Sequence, residues 1–149
     1  MKFSTKIRYG IRTMLEIALN EEDNGILQKQ IAKNQDLSFK YLDQIISSLK
    51  AADLISTVRG KKSGYKLTRK AAEITILDIH NAFEPGIQIV DCLSEHINCP
   101  SEQKCAPRNL WKGLNECIEN YLSNFTLEDL KNDQLQMNSG KAEKTKEEE

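Results

Sequence analysis

No apolar run in these 149 residues approaches the roughly 18 that cross a bilayer, so no membrane-spanning helix is expected. The first ten residues, "MKFSTKIRYG", are charged and lack the apolar stretch of a secretory leader. The expectation is a cytoplasmic protein whose thiols stay reduced. Histidine is scarce, with two in the chain, and no nucleophile stands in a recognisable set with a base. There is no glycine-rich loop of the kind that cradles phosphates, and no internal repeat. These absences make an enzyme the weakest function class. His80, within "ILDIHNAF", reads as an ordinary residue of its helix.

What is present suits one domain with an appendage: 149 residues, 39% of them hydrophobic, can bury a core. The net charge of −1 hides a division. Residues 1–70 carry 14 Lys/Arg against 7 Asp/Glu, or +7, while residues 71–149 carry 7 against 15, or −8. A basic front half on an acidic protein suggests a face for a polyanion, most simply nucleic acid.

Periodicity predicts three short helices at the front. "STKIRYGIRTMLEIALNEE" repeats Ile7, Ile11, Met14, Leu15 and Ala18 at helical spacing, with Ser4 or Thr5 able to cap it and Lys6, Arg8 and Arg12 on the other face. "ILQKQIAKNQD" is a short second helix with Ile26, Leu27 and Ile31 as its apolar residues. "LSFKYLDQIISSLKAADL" turns Leu42, Ile45, Ile46 and Leu49 inward, with Ser38 as N-cap and Lys40, Asp43, Gln44, Ser47 and Lys50 outward. Two β-prone runs, Leu54–Val58 and Tyr65–Leu67, then flank a basic tip, which is a hairpin signature. Thr75 and Asp78 form a capping box before a helix that stops at Pro85–Gly86. After a long irregular stretch, "NLWKGLNECIENYLSNF" restores a helix with Leu110, Leu114, Cys117, Ile118, Tyr121, Leu122 and Phe125 in one stripe beside Trp111. Thr126 and Asp129 repeat the capping box for a short helix. Residues 133–149 are polar and read as a disordered charged tail.

Three helices followed by a basic hairpin is the order of a winged helix-turn-helix. The fold class expected is mainly α with a small β-hairpin wing, a winged helix-turn-helix domain over 1–86. A cysteine loop over 87–108 and a dimerisation helix with its following short helix over 109–132 complete it. The third helix offers Ser38, Lys40, Tyr41, Asp43 and Gln44 to a groove, where Gln44 can pair with adenine and Asp43 can accept from cytosine N4. Arg59, Lys61 and Lys62 on the hairpin, and Arg8 on the first helix, are the expected phosphate contacts. The bland rival is a helical protein–protein module with a solvated basic hairpin.

The stretch "DCLSEHINCPSEQKC", residues 91–105, holds three of four cysteines as C-x6-C-x5-C. Clustered cysteines in a reducing compartment read first as metal or redox ligands. C-x3-H-x2-C-x5-C, counting His96, is a Cys3His set that would equally suit zinc. A thiol switch, helped by Lys104 and Arg108, and a metal-free loop stay open beside it. Cys117, on the apolar stripe, reads as a small buried hydrophobe.

"KIRYGIRTMLEIAL", "LSFKYLDQIISSLKAADLISTVRGKKSGYKL" and the cysteine loop with "LWKGLNECIENYLSNFTLEDL" together resemble the IscR/NsrR-type bacterial regulators over roughly residues 1–130. That resemblance implies a winged-helix transcription factor, a repressor or activator, acting as a homodimer on a near-palindromic site in double-stranded DNA. It implies that the long helix after the loop forms most of the dimer interface. It also implies that Cys92, Cys99 and Cys105 ligate an iron–sulfur cluster of the 2Fe–2S kind. The chain departs from the family pattern at the fourth ligand. Arg108 stands where one branch has histidine and Arg8 where another has an acidic residue, and arginine cannot ligate iron. His96, Glu95, Glu102, a residue of the partner or an exogenous ligand are left as candidates, with His96 favoured.

Overall fold

The computed structural model describes residues 2–21, 24–60, 63–94 and 96–146. Lys61, Lys62 and Glu95, named above as candidates, lie outside the described residues. The chain forms helices α1 (Thr5–Leu19), α2 (Gln28–Gln35) and α3 (Phe39–Ala51), strands β1 (Ile55–Thr57) and β2 (Tyr65–Leu67), then helices α4 (Ile76–Asn81), α5 (Ala106–Asn124) and α6 (Leu127–Lys146). This is the mainly helical winged-helix order expected from the sequence.

The local reasons are visible at each end. Ser4 caps α1 by accepting from the Ile7 N–H at 3.3 Å, and Ser38 caps α3 by accepting from the Tyr41 N–H at 3.2 Å. Between α2 and α3 the chain turns at Asp36, whose φ of 50° is left-handed, a conformation aspartate tolerates better than most residues. Helix α2 starts two residues later than its apolar pattern implies. Ile26 instead bridges Tyr65 of the wing, and Leu27 is exposed.

The wing is a two-stranded antiparallel hairpin with Ile55 opposite Leu67 and Thr57 opposite Tyr65. Its inner face and the inward residues of α3, Leu42, Ile45, Ile46 and Leu49, join Met14, Ile17 and Ala18 of α1 in one buried cluster. Burying a side chain of this size is worth about 1.5–3 kcal/mol, so this cluster sets how α3 is presented. The capping box of Thr75 and Asp78 opens α4, with reciprocal bonds of 3.1 and 2.9 Å.

Two expectations are revised. Residues 133–146 were expected to be a disordered charged tail, yet α6 runs on to Lys146. Its start is held by the Thr126–Asp129 box and by Leu127, which is fully buried, and Lys131 pairs with Glu21 at 3.0 Å. A helix anchored at one end in the core propagates through polar residues free of proline. Cys117 was expected to be buried but is exposed. The apolar stripe of α5 divides in two: Ile118, Leu122 and Phe125 are half-buried against the domain, while Leu110, Trp111, Leu114, Cys117 and Tyr121 face outward.

Candidate nucleic-acid interface and cysteine loop

Helix α3 presents Ser38, Lys40, Asp43, Gln44, Ser47 and Lys50 as an exposed polar face, because the four apolar residues between them are taken by the core. Phe39, in the first turn, is 54% exposed on the same helix. It was assigned no role from the sequence. The only signal was its place next to Ser38 and Lys40, off the inward period of α3.

Not all of that face is free. Asp43 accepts from the Gln28 side-chain amide at 2.5 Å, and the Tyr65 hydroxyl donates to the Gln28 carbonyl oxygen at 3.2 Å. This chain of three side chains ties α3 to α2 and to the wing. Burial, with the Asp43 carboxylate as second cause, raises the Tyr65 hydroxyl above the usual 10.0. Asp43 is therefore already engaged within the chain, and Gln44, one residue on, is an exposed amide. Lys50 donates to Thr57 at 3.2 Å, which pins the end of α3 to β1.

Of the phosphate candidates, Arg59 is exposed at the end of the β1 side of the wing. Tyr41 is half-buried, with its ring edge-on to Tyr9 at 6.0 Å. Arg12 lies over the Tyr9 ring at 5.1 Å and donates to Gln35 at 2.7 Å, joining α1 to α2. Arg8 stands elsewhere, on a cleft between α1, α4 and α5, and is not brought together with the α3 face.

The cysteine loop lies between α4 and α5. It contains two short 3-10 turns, Asp91–Leu93 and Glu102–Lys104. Cys92, Cys99 and Cys105 are half-buried and form no disulfide. Arg108 reaches back across the loop: its Nε donates to the Cys92 carbonyl at 3.4 Å and its guanidinium pairs with Glu102 at 2.8 Å. Glu102 is thus occupied by a cation, and Lys104 is exposed. His96 is exposed, with its backbone N–H donating to Ser94 at 3.3 Å. Among the described residues no three histidine, cysteine, aspartate or glutamate side chains converge on one point.

Comparison with known proteins agrees with this geometry. The model of the Rrf2 family, described as iron-dependent transcriptional regulators, matches residues 3–133. The chain is 35% identical to the protein rrf2 of Nitratidesulfovibrio vulgaris over 133 residues, covering 89% of each. It is 33% identical to the HTH-type transcriptional regulator IscR of Klebsiella pneumoniae, covering 90% of this chain and 82% of that one. Its structure is similar to that of CymR, the global cysteine regulator of B. subtilis, with a TM-score of 0.76, 33% identity, and coverage of 89% and 97%. Capped helix α3, the wing, the cysteine loop and α5 all fall inside the matched span, and the chain belongs to the Rrf2 family of winged-helix transcription regulators.

Proposed function

We propose that the chain is a homodimeric DNA-binding transcription regulator that reads a near-palindromic operator and whose affinity is set by the state of its cysteine loop. The exposed polar face of α3, held in place by the wing through Tyr65, Gln28 and Asp43, carries this reading. Helix α3 enters the major groove, Gln44 contacts base edges, and Arg59 contacts phosphate. The outward row of Leu110, Trp111, Leu114 and Tyr121 on α5 pairs with the same row of a second copy. The gel-shift test follows from this division of labour. Gln44→Ala should relax base preference, and Arg59→Ala should weaken all sequences alike and lower the salt slope by about 1. An operator preference untouched by Gln44→Ala would remove α3 as the reading helix.

The loop suits an iron–sulfur cluster by its donor chemistry: three thiols without disulfide partners, half-buried, on one short segment. Cys92, Cys99 and Cys105 would hold it, with His96 favoured as the fourth ligand, and the segment has to draw in to do so. When bound, such a group supplies an iron- and oxidant-responsive tie between three points of the loop. The loop runs directly into α5, so a change in its order alters how rigidly the two reading heads are spaced. A coupling of about 1–3 kcal/mol would shift operator affinity some tenfold. Anaerobic purification with an absorption spectrum and iron, sulfide and zinc analysis tests this. Matching iron and sulfide with visible absorbance supports it, and a colourless protein that stays iron-free after reconstitution removes it.

A thiol switch without metal is the second reading. Three loop cysteines without disulfide partners, and the likeness to a global cysteine regulator, favour it. It predicts a colourless protein whose operator affinity changes on oxidation and recovers with dithiothreitol.

A further inference from the structure

Gln28 opens α2 and stands between the wing and the exposed face of α3, without itself belonging to that face. Its amide can sit only one way. The Asp43 carboxylate accepts and cannot donate, so the Gln28 NH2 group must face it, and it donates to Asp43 Oδ1 at 2.5 Å. The amide oxygen is then turned to the Tyr65 hydroxyl, which donates to it at 3.2 Å. A flipped amide would set its oxygen against the carboxylate. Both ends of this chain are anchored. Tyr65 exchanges backbone hydrogen bonds of 2.8 and 3.1 Å with Ile26, two residues before Gln28. Asp43 follows Leu42 on a helix whose inner face is buried in the core. The Asp43 charge is felt as far as Tyr65, whose ionisation burial opposes first and Asp43 second. Among the described residues no other group bonds to the Asp43 carboxylate. Its second oxygen, Oδ2, keeps its acceptor capacity on an exposed side chain next to Gln44.

We propose that Gln28 is a positioning residue for base reading: held by Tyr65, it fixes the Asp43 carboxylate so that one oxygen is offered to the exocyclic amine of a base, cytosine N4 or adenine N6. This role rests on the reading of α3 as the helix that enters the major groove. An exposed aspartate turns freely about both of its side-chain torsions, and phosphates repel an unrestrained carboxylate away from the duplex. The Gln28 donor removes that freedom before DNA arrives, so the acceptor is preorganised. It also occupies one oxygen, which leaves a single acceptor of fixed place. A fixed acceptor of negative charge accepts from an amine but faces a second acceptor at guanine O6 or thymine O4, and so tells the two apart. Gln28 needs no contact with DNA to do this. Because Tyr65 belongs to β2, the same link makes the wing a partner in base reading: a displaced wing releases Gln28, and with it Asp43.

The test is selection of fragments from random DNA by the full chain and by its Asp43→Ala, Gln28→Met and doubly substituted variants. Gln28→Met keeps the length and neutrality of the side chain and removes the donor. Asp43→Ala should equalise the bases at one position of the selected site, where the parent prefers one base about tenfold. Gln28→Met should reduce the preference at that same position to about threefold or less and leave the other positions as in the parent. Added to Asp43→Ala it should change nothing further, because it acts through that carboxylate. Tyr65→Phe removes only the hydroxyl and should lower the same preference, which decides the matter if Gln28→Met does not fold. The proposal is overturned if either variant keeps the parent's preference at that position, or if Asp43→Ala alters no position. It is also overturned if Gln28→Met weakens all positions alike, as loss of a merely structural residue would. A parent that selects no sequence removes the reading role of α3, and this role of Gln28 with it. A parent whose selected sequence Gln28→Met selects equally well removes the role of Gln28 alone.

Discussion

Gly64 of the wing and Gly25 of the α1–α2 connection lie backbone to backbone: a Cβ on Gly64 would sit 2.7 Å from the Gly25 carbonyl carbon and 2.6 Å from the Asn24 carbonyl oxygen. Gly25, at φ +63°, would in turn bring a Cβ to 2.5 Å from the Tyr65 carbonyl oxygen. This close approach lets Ile26 and Tyr65 exchange backbone hydrogen bonds of 3.1 and 2.8 Å, which fixes the wing beside α2. The obstructing atoms are backbone and cannot swing aside. Gly64→Ala should cost about 1–3 kcal/mol in denaturant unfolding and lower DNA affinity by displacing the wing. A stability equal to the parent's would mean that the wing is not held this way.

The wing is tied a second time by the Tyr65 hydroxyl, and that tie has a pH signature. Tyr65 ionises less readily in the folded chain than in the unfolded one, because of burial first and Asp43 second. The folded state therefore keeps its proton when the unfolded state begins to lose it. This contribution is complete below the ordinary tyrosine value of 10.0 and is lost as pH rises through the higher folded value. Unfolding midpoints measured from pH 8 to 11 should fall more steeply for the parent than for Tyr65→Phe. Parallel curves would sink the assignment.

Phe39 gives a test of base reading that charge cannot mimic. An exposed aromatic ring in the first turn of a reading helix suits apolar contact with a thymine methyl group. Once operator fragments are selected, replacing thymine by uracil at single positions should weaken binding at one or two of them. Phe39→Ala should cost about 1–3 kcal/mol on the selected site, and uracil should then make no further difference. Equal loss on random DNA would assign Phe39 to general packing instead.

What was legible in the sequence follows from how local each cause is. The spans of α1, α3 and the wing rest on short-range rules: serine caps, a period of 3.6, and a basic turn between two β-prone runs. The winged-helix order could therefore be read from residues 1–70, and the family resemblance from these together with the cysteine loop and the helix after it. Exposure of Cys117 was not legible, because an apolar stripe shows that a face wants covering but not whether the same chain covers it. His80 was read as an ordinary helix residue, since its burial against Phe3 depends on packing between segments far apart in sequence. The helical course of residues 133–146 was hidden for a similar reason. Its polar composition argues for disorder, while its anchorage by Leu127 and Lys131 comes from tertiary contacts with the core and with Glu21. The arrangement of the three loop thiols has no periodic signal at all; the sequence supplies their spacing, and 3-10 turns and Arg108 decide their placement.

The outward row on α5 bears on how two heads act together. Leu110 is 64% exposed, Tyr121 67% and Leu114 46%, and no residue of α5 is fully buried. A helix that contributes so little to its own core yet carries four large apolar side chains in one row needs a second surface, and a two-fold axis offers the same row in return. On the proposed pairing, Leu114→Glu with Tyr121→Glu places two like charges on each copy at that axis and should leave the chain monomeric at micromolar concentration where the parent pairs, as read by sedimentation velocity. Because neither side chain is buried, the circular dichroism spectrum and the unfolding midpoint of each winged-helix head should change little. Operator affinity should fall by the advantage of tethering two heads, on the order of 10²–10⁴, while binding of one head to a half-site stays near its parent value. A double variant that remains dimeric, or that unfolds the head, would refute α5 as the pairing surface.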